Sequence, residues 1–410
     1  MQFEQFIAKR FMPRKKDGGG FSGPLSAIAV AGIALGVVVM VVAVSILRGF
    51  QGEMADKVSG FGSHITVTAF SSRTANYQEN PMADDSALKA RLEATPGVRH
   101  VGRYATKGGM VKTADQIHGI VLRGMGSEWD TSFFASNLKE GHLPRVGDAD
   151  GTNDVLISTT LASRLRLAVG DKMRTYFWQG ESYRSRALTV CGLYKTDLAE
   201  MDEVYVIGDL RQVQRLNDWG DTLVGGYELL VDDFRRLDAT AQRVLDALPY
   251  DLAMQTVTAA NPALFAWLDL LNSNITLILT IMCIVCITAI VSALLIMIFE
   301  KSQTIGILKT LGASNASIRK IFLLKATRLI AEGIAAGVAI GLVFCLVQKR
   351  WAPLKLDAES YSMSVVPIDV DPWIFILVAV VTAVACVAAL LLPAAWVSRI
   401  SPASTVRMEK

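Results

Sequence analysis

The stretch EKSQTIGILKTLGASNASIRKIF, residues 300–322, decides how the chain is read. It is mostly polar, yet it stands between two long apolar runs and carries the spacing of helices. Ile305, Leu308 and Leu311 recur on one helical face, with Lys301, Ser302 and Lys309 pointing elsewhere. Gly312 supplies a helix stop and Ser314 a capping hydroxyl, so the spacing predicts a short helix at about 301–313. A second helix then runs through Ile318, Ile321 and Phe322. A short helix joined to membrane helices on both sides is either a docking knob, which moves two spans when pushed, or a passive helix at the interface.

The rest of the composition fits a membrane protein. Of the 410 residues 51% are hydrophobic, and the mean hydropathy is +0.36. A span needs about 20 mainly apolar residues, and four segments qualify: Leu25–Leu47, Ile275–Phe299, Leu329–Val347 and Trp373–Val397. Only the third carries a charge, Glu332 near one end. The first follows Lys9, Arg10, Arg14, Lys15 and Lys16 and has no small-residue cleavage pattern after it, so it reads as a retained span. Basic residues also crowd the loop between spans two and three (Lys301, Lys309, Arg319, Lys320, Lys325, Arg328) and the tail (Arg399, Arg407, Lys410). By the positive-inside rule both termini and residues 300–322 face the cytoplasm. The formal charge of +3 is then an orientation signal, and no nucleic-acid partner is read from it.

The pattern divides into an amphipathic elbow helix and linker (1–24), a first span (25–48), an exported domain (49–273) and a three-helix membrane part (274–410). Within the exported domain HITVTAF (64–70) alternates as a strand, DDSALKARLEATPGV (84–98) reads as a helix ended by Pro96-Gly97, and 169–194 reads as a hairpin. Strands and helices mingle without a βαβ repeat, which predicts one α+β domain or a pair of small ones. The fold class is therefore a four-helix membrane protein with a large α+β domain inserted between the first and second spans. From Pro262, Leu264, Phe265, Leu268 and Leu271 continue at helical spacing into the second span. Two readings stand there, one unbroken helix that carries motion or an ordinary amphipathic lead-in.

Enzyme chemistry finds no footing. His64, His100, His118 and His142 form no metal-ligand spacing, no G-x-S-x-G elbow occurs, and GGMVKT (108–113) lacks the ending of a phosphate loop. No catalytic residue, metal site or cofactor is expected in this chain. Of five cysteines only Cys191 lies in the exported region, so no disulfide forms within it, and Cys283 and Cys286 read as packed apolar residues of a span. Gly32 with Gly36, and Gly333, Gly337 and Gly341, form small-xxx-small ridges that bring helices close, either within the chain or at a subunit interface.

The first span with its exit, SAIAVAGIALGVVVMVVAVSILRGFQGEM (26–54), the segment IGILKTLGAS (305–314) and the tail LPAAWVSRISPASTVRME (392–409) resemble the ATP-binding-cassette permease family that includes FtsX-like and MacB-like proteins. PGV (96–98), EGHLP (140–144) and VLISTTLASRLRLAVGDKM (155–173) extend the resemblance through the exported domain, and the lipoprotein-releasing (Lol-type) permeases are the most similar branch. The resemblance implies a non-catalytic inner-membrane subunit, paired with an identical or paralogous permease and bound to two copies of a separate ATPase that holds ATP and Mg. It implies a coupling helix around Lys301, Ile305, Leu308, Lys309, Leu311 and Gly312, a lipoprotein substrate, membrane lipid as surroundings and a periplasmic lipoprotein carrier. Apolar residues near the domain-side ends of the first two spans, Met40, Val44, Leu47, Phe50, Leu268, Leu271 and Ile275, are the candidate lining for acyl chains, and they fit packed or lipid-facing roles equally. A subunit of the same superfamily that drives a periplasmic or cell-wall partner without transport is the alternative. Two departures stand out: Thr304 where many members carry an acid, and a short, proline-free hairpin tip at 178–185.

Overall fold

The computed structural model describes residues 22–396 apart from 71–79, 114–115, 148–150, 180–181, 358–360 and 362. The elbow helix expected before residue 22 and the tail motif beyond residue 396 lie outside the described residues. The chain divides into two compact units, Met1–Gln51 with Trp267–Leu354 and Val366–Lys410, and Gly52–Ala266 with Lys355–Val365.

In lipid every backbone N–H and C=O has to be satisfied within its own segment, so long apolar runs form helices. They are α1 (Ser22–Gly62), α2 (Pro262–Glu300), then a short α3 (Ser302–Thr310), α4 (Asn315–Trp351) and α5 (Pro372–Trp396). Four of these, all but α3, are long and apolar enough to cross a membrane. α1, α2 and α4 have 41, 39 and 37 residues. At about 1.5 Å per residue each is nearly twice the roughly 30 Å of a bilayer's hydrocarbon core. They run past the expected apolar windows because no breaker interrupts the polar turns that follow or precede them. Pro262 stands at the first helical position, where its missing N–H costs nothing, and the helix it opens is unbroken to Glu300.

Glycines set the spacing of the membrane unit. A Cβ on Gly333 would stand 2.8 Å from Ile33 Cβ, one on Gly337 2.7 Å from the Ala34 carbonyl oxygen, and one on Gly341 3.2 Å from Val41 Cγ1. On α1 itself, a Cβ at Gly36 would strike Cys286 Sγ, and one at Gly32 would lie 3.3 Å from Ala289. Both ridges are thus filled by the chain's own helices: α4 lies on α1 through one, and α1 on α2 through the other. Cys286, Cys345 and Cys386 are fully buried in the same core. The segment after α4 is strapped down by Gln348, whose side-chain amide donates to the Leu354 carbonyl (2.9 Å) and accepts from the Leu354 N–H (3.0 Å). Asp369 N–H then donates to the Ser45 carbonyl of α1 at 3.0 Å.

The other unit is built on a ten-stranded sheet. Its strands are β1 (Ile65–Ala69), β3 (Val98–Lys112), β4 (Ile117–Met125), β5 (Leu138–Gly141), β6 (Asp154–Ser158), β7 (Lys172–Gln179), β8 (Ser182–Tyr194), β9 (Tyr205–Asp209), β11 (Gly226–Val231) and β12 (Leu252–Thr256). The order is β12-β1-β11-β3-β4-β9-β6-β8-β5, with β7 pairing both β3 and β8; β2 (Met82–Ala83) and β10 (Leu223–Val224) make a separate pair. The β4–β9 and β6–β8 pairs are parallel and the other pairs antiparallel. One continuous core, from Val58 through Tyr194 to Val257, unites these elements, so the expectation of a pair of small domains gives way to one. Side-chain caps start its helices: Asp85 accepts from Ala87 N–H at 2.8 Å ahead of Ser86–Glu93, and Ser158 from Leu161 N–H at 2.9 Å ahead of Thr159–Leu165. The segment GGMVKT belongs largely to β3, where the Phe177 ring of β7 lies over Gly109, 2.7 Å from where a Cβ would stand.

Two charged clusters are built into this unit. Arg123 donates to Glu228, both buried, with its guanidinium 5.4 Å from the Tyr104 ring centre. Arg103 bonds Glu128 through Nε at 2.7 Å and through Nη2 at 3.0 Å, and Asp84 through Nη1 at 2.7 Å. Burial alone would raise the Glu128 carboxyl, but the Arg103 hydrogen bonds and charge overcome it and hold the group down at about 2, against an ordinary 4.5.

Substituting Gly337 by Leu is expected to separate α1 from α4 and lower the thermal midpoint of the detergent-solubilised chain, by an overpacking cost of about 1–3 kcal/mol. Gly52→Ala, where an added Cβ meets nothing within 4 Å, serves as the silent control. Glu128 is depressed in the folded state, so its stabilisation is complete above the ordinary value of 4.5 and is lost as pH falls from there through about 2. Thermal midpoints measured across that window should fall for the parent chain, and Glu128→Gln should remove part of the slope.

Candidate coupling segment and apolar lining

The short α3 is a corner between two membrane helices. Lys301 interrupts α2 without opening a loop: its N–H still bonds the Met297 carbonyl at 3.1 Å and its carbonyl accepts from Ile305 N–H at 3.0 Å. At the other end Gly312 takes φ +93°, Gly312 N–H bonds the Lys309 carbonyl at 3.1 Å and Ala313 N–H the Leu308 carbonyl at 2.9 Å. This paired closure is the Schellman stop that only a residue tolerant of positive φ makes cheaply. Ser314 then caps α4, accepting from Ser317 N–H at 3.1 Å.

The single face expected for Ile305, Leu308 and Leu311 is split. Ile305 is buried in the core of the membrane unit, Leu308 is half-buried, and Leu311 is 79% exposed. The reason is angular: successive helical residues turn by about 100°, so residue 311 lies well round the helix from residue 305 and beside residue 307. Ile307, unremarked in the sequence, is 60% exposed and stands one turn before Leu311. Lys301 and Lys309 are half-buried, Lys301 pairing with Glu300 at 3.9 Å, and Gly312 is exposed. The outward apolar stripe is therefore Ile307 and Leu311, with Ile305 as the inward anchor.

The seven candidate lining residues also divide. Met40 is packed in the membrane-unit core. Phe50 is buried and meets the Trp267 ring edge-on at 5.5 Å, and Leu268 is buried next to it. Gln51 donates to the Leu268 carbonyl at 3.4 Å and to Asn272 Oδ1 at 3.0 Å, so α1 and α2 are joined at this level. Met40, Phe50 and Leu268 are thus packed residues, whereas Val44, Leu47, Leu271 and Ile275 are half-buried. The hairpin tip holds a pair the sequence reading passed over: Trp178 and Tyr183, about half exposed, meet edge-on at 4.8 Å. Arg184 beside them donates to Asp218 at 3.0 Å.

Residues 26–247 match the model of the MacB-like periplasmic core domain, more than half of the chain, and residues 276–402 match the FtsX-like permease C-terminal model. The chain belongs to the MacB-like, FtsX-like permease family. This FtsX-like permease is 26% identical to the lipoprotein-releasing system transmembrane protein LolC of Neisseria meningitidis over 99% of both chains. It is 23% identical to the LolE protein of the same system in Haemophilus influenzae over 98% of both. The solved periplasmic region of MacB from Actinobacillus actinomycetemcomitans aligns at 12% identity and a TM-score of 0.34, covering 50% of this chain and 95% of that one.

Leu311→Asp and Ile307→Asp are expected to leave the permease folded, since both side chains are exposed. Ile305→Asp puts a carboxylate into a dry core and should abolish the monodisperse protein, a loss beyond the about 0.5–3 kcal/mol of ordinary single changes. Size-exclusion profiles of the three variants check this.

Proposed function

We propose that this permease is the non-catalytic membrane subunit of an ATP-binding-cassette transporter that lifts lipoproteins from the outer leaflet of the inner membrane and releases them to a periplasmic carrier. The observation that carries the reading is the end-to-end match, 98–99% of both chains, to relatives named as lipoprotein-releasing transmembrane proteins. In this reading the spans occupy about 25–48 and the three helices of 274–410, residues 49–273 form the periplasmic domain, and both termini are cytoplasmic. Two copies of a separate ATPase hold ATP and Mg, and a second permease, identical or paralogous, completes the membrane part.

Extracting an acyl chain costs about 0.8 kcal/mol per buried CH₂, so a multiply acylated cargo requires a coupled energy source and an apolar path. Ile307 and Leu311 are the surface offered to the ATPase, and the rigid corner at Gly312 and Ser314 passes its displacement into α4. Val44, Leu47, Leu271 and Ile275 remain as candidate lining for the acyl chains. A second reading, in which force rather than cargo is transmitted to a periplasmic or cell-wall partner, is favoured by the unbroken helix Pro262–Glu300.

ATP hydrolysis by the chain and its co-expressed ATPase in lipid nanodiscs separates the two. Triacylated lipoprotein is expected to change the rate, and Leu311→Asp to abolish ATPase association. Hydrolysis indifferent to lipoprotein, with association still dependent on Leu311, removes the transport reading and leaves force transmission.

A further inference from the structure

Between α4 and α5 the chain returns to α1, and the permease role as described gives this return no task. Its neck is set by Gln348, buried near the end of α4, whose amide donates to the carbonyls of Leu354 (2.9 Å) and Val366 (3.3 Å). Residues 366–371 then form a strap, with Ile368 and Val370 packed on the membrane-unit core. The strap ends by capping α5, where the Asp371 carboxylate accepts from Trp373 N–H at 3.0 Å.

Where the strap crosses α1, the helix is shaped to receive it. Asp369 N–H donates to the Ser45 carbonyl at 3.0 Å, and a carbonyl has two lone pairs, so a helical one can accept this second N–H. One turn on, Gly49 leaves a notch. A Cβ there would stand 2.6 Å from the Pro367 carbonyl oxygen and 2.8 Å from the Asp369 nitrogen. Both are backbone atoms, which cannot yield as the end of a flexible side chain can. Arg48 beside the notch reaches Asp371 at 3.4 Å, so the residue that caps α5 also pairs with α1.

The strap continues the seam that the glycines of α4 begin. Gly333, Gly337 and Gly341 meet Ile33, Ala34 and Val41 in that order along α1. Successive helical residues turn by about 100°, which places Ser45 on the same side of α1 as Ala34 and Val41, with Gly49 a turn further. Phe50 and Gln51, which meet α2, lie on the other side. α1 is therefore held to α4 at residues 33–41 by the ridge, and at residues 45–49 by a strap that α4 anchors and α5 continues.

We propose that the strap is a clasp that stays closed through the working cycle and makes α1, α4 and α5 one body, so that a push on α3 displaces α1 together with α4. This rests on the reading of α3 as the ATPase contact. The ridge alone grips α1 over residues 33–41; the clasp extends the grip to the end of α1 that leads into the sheet domain, where a displacement has to arrive.

The test has two readouts, both on the full chain in lipid nanodiscs. Hydrogen exchange of the peptide that contains Asp369 reports the closed clasp and needs no ATPase. Gly49→Ala, which forces the strap off the helix, should speed that exchange about tenfold, the factor that loss of one hydrogen bond implies. Arg48→Ala, which removes only the surface ion pair, should speed it about twofold, and Gly52→Ala should leave it at the parent value. The second readout is turnover with the co-expressed ATPase. A reducible bis-thiosulfonate bridge between the thiols introduced by Arg48→Cys and Asp371→Cys locks the clasp, and hydrolysis should continue at the unbridged rate. The native cysteines are buried or half-buried, and the unsubstituted chain treated alike is the control. If no ATPase associates before bridging, the reading of α3 falls, and the exchange result decides the clasp. The proposal is overturned if Gly49→Ala exchanges as the parent does, or if bridging arrests hydrolysis and reductant restores it, since the clasp then opens in each turnover.

Discussion

The close approach of α4 to α1 at Gly333, Gly337 and Gly341 is the constraint on which the rest depends. Lipid tails are as apolar as leucine, so helices in a bilayer gain nothing from burying oil against oil and associate through contact instead. Removing three side chains from one face of α4 lets Ile33, Ala34 and Val41 touch its backbone. Gly32 and Gly36 repeat the device towards α2. α1 is therefore gripped on two sides, and the same helix carries Val58 and Phe61 into the core of the sheet domain.

The corner at α3 inherits that rigidity. A helix ended by a glycine at positive φ and followed two residues later by a capped helix has few soft dihedrals left. Ile305 fastens the corner from inside while Ile307 and Leu311 face out, so one short helix presents an apolar stripe on each side. Such a two-sided element is costly to leave uncovered in water, and that cost gives the outward stripe its meaning.

Much of this was legible in the sequence. The long apolar runs, the stop at Gly312, the cap at Ser314 and the glycine ridges are local signals, each set by a handful of neighbouring residues. Pro262 opening α2 and Asp85 or Ser158 opening domain helices are of the same kind. What escaped was long-range. Which side of α3 faces inward is set by the membrane-unit core that Ile305 joins, so the expected single face of Ile305, Leu308 and Leu311 was split and the outward Ile307 was missed. β3 hid behind Gly108-Gly109, and the purpose of Gly109 is visible only once the Phe177 ring of β7 lies on it. β12, five uncharged residues of modest strand propensity, is held in place by β1, nearly two hundred residues earlier in the chain. His64 and His100, set aside for want of a metal spacing, come to line two adjoining hollows because the turn after α1 and the first residues of β3 meet there.

The position of β1 carries a consequence for how the protein is made. β1 leaves α1 almost at once, yet its two sheet neighbours are β11 and β12, with Ile65 opposite Leu229 on one side and Thr256 on the other. A chain that emerges from its N-terminus therefore displays Ile65 and Val67, both fully buried in the finished protein, until nearly the entire domain has followed. Long-range pairing of this kind is slow and leaves strand edges open meanwhile. Formation of the sheet thus ends with a closing step, in which the last strand seals the first and brings the two ends of the inserted segment side by side.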